Sequence, residues 1–266
     1  MSDLPGPDGL ATALHPYTGE IVSITPTERG FSSDLTAIMT GERGEWFVKA
    51  IRNRPGGRRA SLVREGRINP HVRPVSPPVR WHAENDDWVA LGFEIVYGRH
   101  ADLAPGSADL PVVIDVLNRI AELPLPTLAA DWPETRWDRF TDRPQLLRGN
   151  ALLYTDIHPS NVLIGERTAW AVDWSWPTRG AAWIAPALLV LQLVAAGHTS
   201  AEAEILASGC TAWRDAAPDA VDAFAVASTR MYETFAERNP DVSWLEAMAT
   251  AARAWAEHRG ADGRAM

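Results

Sequence analysis

The stretch 154–174, YTDIHPSNVLIGERTAWAVDW, sets two short apolar runs inside a fixed pattern of polar residues. Asp156 follows the apolar run 151–154. Asn161 comes five positions later, directly ahead of Val162, Leu163 and Ile164, and Asp173 ends a second run, 169–172. The order is loop, short strand, turn, short strand, carboxylate. This order reads as two short strands that carry acidic and amide side chains at their ends.

The residue types suit one kind of chemistry. Transfer of a γ-phosphoryl group asks for little covalent work from a protein. It needs a carboxylate that orients the attacking hydroxyl, and oxygen ligands that hold Mg²⁺ against the phosphates. Asp156 fits the first role. Asn161 and Asp173 fit the second, because Mg²⁺ prefers hard oxygen ligands and takes one or two carboxylates together with phosphate and water. Asp and Asn also form turns and helix caps, so the D-x-x-x-x-N spacing alone would read equally as two capped loops. The two framing strands favour the active-site reading.

On these residues the sequence resembles the aminoglycoside phosphotransferase branch of the protein-kinase-like superfamily. The catalytic loop of that family reads H-G-D-x-x-x-x-N and is followed by I-D-W or I-D-F. The corresponding residues here are Tyr154-Thr155-Asp156, Asn161 and Val172-Asp173-Trp174. The resemblance implies an α+β, bilobal kinase-like fold covering nearly the whole chain. A small antiparallel sheet lobe, residues 1–93 with 1–20 as a loose leader, would precede a hinge and a mainly helical lobe, residues 94–266. ATP, or GTP, would bind between the lobes with Mg²⁺.

The upstream half is consistent with that resemblance. Residues 21–24 and 34–39 read as strands joined by Thr27-Glu28-Arg29-Gly30-Phe31-Ser32-Ser33, and residues 45–51 as a third strand. The loop lacks G-x-G-x-x-G, but Ser32, Ser33 and neighbouring N–H groups are candidates for phosphate contact; a plain solvated hairpin is the alternative. Lys49 sits in Trp46-Phe47-Val48-Lys49-Ala50, an apolar strand where a charge is costly unless paired or facing a cleft. It resembles the kinase strand lysine that bridges the α- and β-phosphates. Residues 60–65 read as helix, and Glu65 is the only acidic residue between Lys49 and Pro74, which favours a Lys49–Glu65 pair.

Residues 80–83 and 88–93 read as a strand pair around a polar turn. Glu94-Ile95-Val96-Tyr97-Gly98 resembles the kinase hinge, with the backbone of Glu94 or Val96 contacting the adenine ring. Val112, Val113, Val116, Leu117 and Ile120 then follow a helical period, with Asp109 as N-cap and Pro111 in the first turn.

Composition sets limits. The chain has 266 residues, 46% hydrophobic, enough to bury one large or two smaller cores. A net charge of −9 argues against a nucleic-acid partner. The single cysteine, Cys210, excludes an intrachain disulfide and a thiol metal cluster, and points to the cytoplasm. The most apolar stretch, 181–196, contains Pro186 and Gln192 and is shorter than a bilayer span, so it reads as a buried helix and no membrane partner is expected.

Two departures from the family pattern stand out. Tyr154 replaces the histidine that supports the catalytic loop, and 184–190 carry none of the carboxylates of the family's G-D-P-x-x-D-L segment. Acidic residues near the C-terminus, among them Glu233, Glu237, Asp241 and Glu246, are candidates to receive a cationic acceptor or simply form a solvated face. The resulting expectation is a kinase or phosphotransferase that moves a γ-phosphate from ATP, or GTP, to a hydroxyl of a small molecule, aminoglycoside-like or otherwise. Its partners would be the nucleotide and that acceptor. The alternatives are a nucleotide-binding pseudoenzyme with a protein partner, and a kinase of a peptide serine or threonine.

Overall fold

In a computed structural model, residues 9–27 and 33–261 are described. The chain divides into two compact units, Met1–Gly98 with Val172–Trp176, and Arg99–Ala171 with Pro177–Met266.

The first unit opens with helix α1 (Leu10–Thr18), followed by β1 (Ile21–Pro26), β2 (Leu35–Gly41), β3 (Gly44–Arg52), helix α2 (Gly57–Val72), β4 (Val79–Glu84) and β5 (Trp88–Phe93). The strands form one antiparallel sheet in the order β1-β2-β3-β5-β4. Alternation along β3 sorts its side chains between two faces. Trp46, Val48 and Ala50 join Met39, Trp81 and Trp88 in a core that also takes Leu10 and Leu14 from α1. Phe47 and Ile51 join Leu62, Val63, Leu91 and Phe93, on the face that receives α2. Lys49 has the parity of Phe47 and Ile51, so the period of two delivers its side chain to the α2 face.

Helix α1 corrects one expectation. Residues 1–20 were expected to form a loose leader, yet 10–18 are helical and bury Leu10 and Leu14. Each fully buried leucine contributes about 1.5–3 kcal/mol, which is enough to hold a nine-residue helix that neighbouring glycines would otherwise weaken. Gly92 is a second local requirement: a Cβ there would lie 2.1 Å from the Trp81 indole, so β5 can cross beneath that ring only without a side chain.

The second unit contains β6 (Arg99–His100), α3 (Leu110–Ala121), β7 (Ala151–Leu153), β8 (Val162–Ile164), β9 (Ala169–Ala171), β10 (Thr178–Gly180), α4 (Ile184–Ala195), α5 (Ser200–Ala207), α6 (Pro218–Arg238) and α7 (Ser243–His258). Two small sheets, β6-β8-β9 and β10-β7, support the helices. The core gathers around Phe224, whose ring lies 4.8 Å from Trp137, 5.6 Å from Trp183 and 6.3 Å from Trp255. Arg259, at the end of α7, ties to Glu204 and Asp222, each at 2.6 Å.

Asp109 stands at the cap position of α3 as expected, but its side chain caps nothing. Its carboxylate instead accepts from Arg99 Nη2 at 2.6 Å and from the Asp102 N–H at 2.9 Å. A guanidinium within reach is the stronger partner for a carboxylate. No helix among the described residues is long and apolar enough to cross a membrane. The sheet-bearing unit and the mainly helical unit together make the chain α+β.

Candidate active site

Three of the expected site residues meet within the first unit. Lys49 Nζ donates to Glu65 Oε1 at 2.9 Å, to Glu65 Oε2 at 3.0 Å and to Asp173 Oδ1 at 3.0 Å. Glu65 is 2% exposed on the inner side of α2. Burial pushes its carboxyl up, against the opposing pull of Lys49 and a hydrogen bond with the Trp174 backbone. Burial also disfavours the Lys49 ammonium, but the two carboxylates outweigh it and hold the group above the ordinary lysine range. Lys49 therefore stays charged in a place where an unpaired charge could not.

Asp173 reaches this cluster through its backbone. At φ 62° it is the only non-glycine in the left-handed region among the described residues. Such a conformation costs on the order of 1 kcal/mol, and aspartate tolerates it better than most side chains. Burial pushes the Asp173 carboxyl up, but the Lys49 charge and hydrogen bonds from Ser175 and Lys49 hold it below the usual carboxylate range. The Ser175 hydroxyl and Lys49 both address Oδ1.

The rest of the expected nucleotide contacts are placed as follows. Ser32 lies outside the described residues, and Ser33 is half-buried ahead of β2. Glu94 is exposed and pairs with Arg80, and its N–H already donates to Pro78 O at 2.9 Å. Of the two hinge candidates, Val96 lies clear of that bond, and Glu94 retains its carbonyl as an acceptor. Arg58 pairs with Asp34 at 2.8 Å and Arg59 with Glu84 at 2.7 Å, which explains the basic segment after β3 as a paired surface.

The second unit holds the loop between β7 and β8. Asp156 is exposed, and Asn161 follows a short turn that begins at Pro159. Asn161 Nδ2 donates to the Asp156 carbonyl at 3.0 Å, and the Asn161 N–H to His158 O at 2.9 Å, so the two candidate residues are braced against each other through the backbone. His158 Nδ1 faces Ser160 Oγ at 2.6 Å and the Ser160 N–H at 3.3 Å. Tyr154 is buried, with its hydroxyl 3.5 Å from Asn161 O. The phenol thus reaches the same loop that a histidine would support.

Two features escaped the sequence reading. Lys49 is the only lysine in the chain, all other cationic side chains apart from histidine being arginine. A compact ammonium concentrates its charge at a single point between two carboxylates, where a guanidinium spreads it over a planar fork; that lone lysine was countable from the sequence. Arg136 was the other omission. Its Nη2 donates to Thr155 Oγ1 at 2.9 Å, next to Asp156, a contact made across 19 residues that no local spacing announces. Of Trp174, Trp176 and Trp183, the first and last are buried and Trp176 is exposed, with the Arg64 guanidinium 5.2 Å from its ring centroid.

No family model matches the sequence, and no curated protein matches it. Solved structures do. Choline kinase LicA from Streptococcus pneumoniae superimposes with a TM-score of 0.65 at 10% identity, over 94% of this chain and 98% of that one. An aminoglycoside phosphotransferase from Alicyclobacillus acidocaldarius gives 0.62 at 12% identity, over 98% and 97%. The macrolide 2'-phosphotransferase MphH from Brachybacterium faecium gives 0.54 at 16% identity, over 92% and 98%. LicA has also been solved in complex with AMP. The resemblance first read from the loop around Asp156 therefore extends over nearly the whole chain, which shares its fold with aminoglycoside phosphotransferases and choline kinase.

Proposed function

We propose that the protein is a phosphotransferase that moves the γ-phosphoryl group of ATP, or GTP, to a hydroxyl of a small molecule. The observation that carries this reading is the buried Lys49 ammonium held by Glu65 and Asp173. An ammonium kept charged by two carboxylates is suited to phosphate oxygens, and the structural neighbours are phosphotransferases and a kinase of small molecules.

In this reading Glu65 orients Lys49, and Lys49 steadies the nucleotide phosphates. Val96 or the Glu94 carbonyl contacts the base, and Ser33 is the described candidate for phosphate contact, Ser32 lying outside the described residues. Asp156 takes the proton of the attacking hydroxyl as its oxygen bonds to the γ-phosphorus. The bridging P–O bond breaks, and its electron pair leaves with the nucleoside diphosphate.

Each of the two proposed donors, taken in its own unit, suits magnesium. Asp173 is ionised and addresses its protein partners through Oδ1. Asn161 engages its nitrogen and so offers Oδ1. Among the described residues no three His, Cys, Asp or Glu side chains could hold a metal by themselves, and Mg²⁺ ordinarily completes its shell with phosphate and water. When bound, the ion would neutralise charge developing on the phosphates.

Two measurements test the proposal: thermal shift with nucleotide in the presence and absence of Mg²⁺, and formation of ADP across an acceptor screen. Asp156→Asn should keep nucleotide binding and lower turnover by roughly 10²–10⁴-fold, the usual contribution of a positioned acid–base group. Magnesium-dependent binding with no turnover on any acceptor would replace the proposal with a nucleotide-binding pseudoenzyme.

A further inference from the structure

Residues 134–136 form a pedestal beside the loop that carries Asp156. Glu134 is 2% exposed, and its carboxylate is fully employed: Oε1 accepts the Arg136 N–H at 2.7 Å and Oε2 the Thr178 hydroxyl at 2.8 Å. Its backbone is clamped as well, donating to Arg179 O at 2.8 Å and accepting from Arg148 Nη1 at 2.7 Å. The root of Arg136 is thus fixed to β10. Its guanidinium lies 5.1 Å from the ring centroid of the fully buried Trp137 and makes one side-chain hydrogen bond among the described residues, to Thr155.

Two other arginines nearby are already ion-paired, and a third lies over aromatic rings. Arg139 lies over the rings of Phe140 and Phe235, Arg143 pairs with Asp219 at 3.1 Å, and Arg148 pairs with Asp138. Arg136 is exposed and joins no ion pair among the described residues. Tyr232, half-buried on α6, carries a phenol that the charges of both Arg136 and Asp156 reach. Burial pushes its phenol up, the Arg136 charge pulls it down and the Asp156 charge pushes it up, so the phenol lies within the field of both. Glu233, a candidate for attracting a cationic acceptor, is taken by Arg253 at 3.1 Å.

We propose that Arg136 binds the acceptor and that this acceptor carries a carboxylate or phosphate group, an inference that rests on the phosphotransferase reading of Asp156. A guanidinium presents a rigid fork of donors that matches such oxyanions. An anchored, exposed arginine next to the hydroxyl-activating carboxylate selects a molecule with an anion at one end and a hydroxyl at the other. Polycations and quaternary amines would meet the wrong charge at Arg136.

The test uses the full chain with MgATP and matched acceptors. D-Glycerate, gluconate, glycerol 3-phosphate and glucose 6-phosphate are compared with neutral glyceramide, glycerol and glucose, and with cationic choline and kanamycin. ADP formation and ligand-observed NMR are read in parallel, and the carboxylates and phosphates separate the two anion types. The expected result is binding and turnover of an anionic member. Arg136→Ala should raise its KM and its Kd by about 10- to 100-fold and erase the preference over the neutral partner, and Arg136→Lys should restore part of that preference. Turnover confined to neutral or cationic members would overturn the inference while leaving the phosphotransferase reading intact. So would an Arg136→Ala variant whose kcat falls alike for every acceptor at an unchanged KM ratio, since that marks mere support of Thr155. If an anion binds through Arg136 but no ADP forms, the phosphotransferase reading falls and the anion site stands; if neither occurs, the inference is overturned.

Discussion

Lys49 and Glu65, sixteen residues apart, meet at 2.9 Å with the carboxylate almost wholly buried. The pair is doubly determined: the period of two along β3 turns Lys49 toward α2, and α2 presents Glu65 to it. Removing the ammonium leaves a buried carboxylate without its charge partner, a change that typically costs several kcal/mol unless the carboxyl takes up a proton. Lys49→Ala should therefore weaken nucleotide binding and also lower the Tm, and the double variant Lys49→Met/Glu65→Leu should recover Tm without recovering nucleotide binding. Wild-type nucleotide affinity in Lys49→Ala would refute the assignment.

Because the chain has a single lysine, an amine-reactive acyl phosphate of ATP offers a direct test. It should acylate Lys49 and, apart from the N-terminal amine, nothing else. Excess MgATP should suppress the modification as read by intact mass and peptide mapping, and a label that ignores MgATP would count against nucleotide at Lys49.

Gly92 predicts a stability effect away from the chemistry. Gly92→Ala places a Cβ 2.1 Å from the Trp81 indole, so the ring must move within a packed face. Overpacking of this kind costs about 1–3 kcal/mol, measurable as a lower urea midpoint at unchanged m. A neutral result would mean that the Trp81 ring is not held over Gly92.

Asp109 gives a pH prediction. A hydrogen bond from Arg99 comes first among the causes that hold its carboxyl below the usual range, outweighing burial. A carboxyl whose folded pKa is depressed stabilises the fold above its unfolded pKa of about 3.9 and loses that contribution as pH falls through the folded value. Asp109→Asn should thus be less stable than wild type at pH 7, with the gap closing in acid below about pH 4. Chemical denaturation across that range checks it; a gap that widens in acid would contradict the pairing.

Burial pushes the Cys210 thiol up to about 12, and the side chain is buried. The native protein should leave a thiol-reactive disulfide reagent unconsumed at pH 8, and one equivalent should react once guanidinium unfolds it, since the thiolate is the nucleophile. Rapid native reaction would place Cys210 at the surface.

The parts of this molecule that sequence displayed are those encoded by short spacing. Asp156 and Asn161 lie on one loop, Lys49 stands in an apolar strand, and Glu65 had no acidic competitor nearby. The strand limits fell within a few residues because β-branched and aromatic runs are bounded by polar turns. What stayed hidden depends on partners distant in the chain. Helix α1 is held by Leu10 and Leu14 against a sheet that follows it, and its own Gly and Pro neighbours signalled disorder. Asp109 had a cap's position but found Arg99. Arg136 is set beside Asp156 by Glu134 and β10, an arrangement written in tertiary contacts alone.

The membership of Val172–Trp176 in the first unit has a consequence for biosynthesis. Lys49 finds Asp173 only after a further 124 residues have been made, about 6–25 s of elongation at roughly 5–20 residues per second. Throughout that interval the nascent sheet has its lysine and Glu65 but neither the second carboxylate nor the Trp174 backbone. The first-made half of this protein is therefore completed by a segment from its second half, and a ribosome stalled before residue 172 would display a unit that is compact in its strands and unfinished at its charged centre.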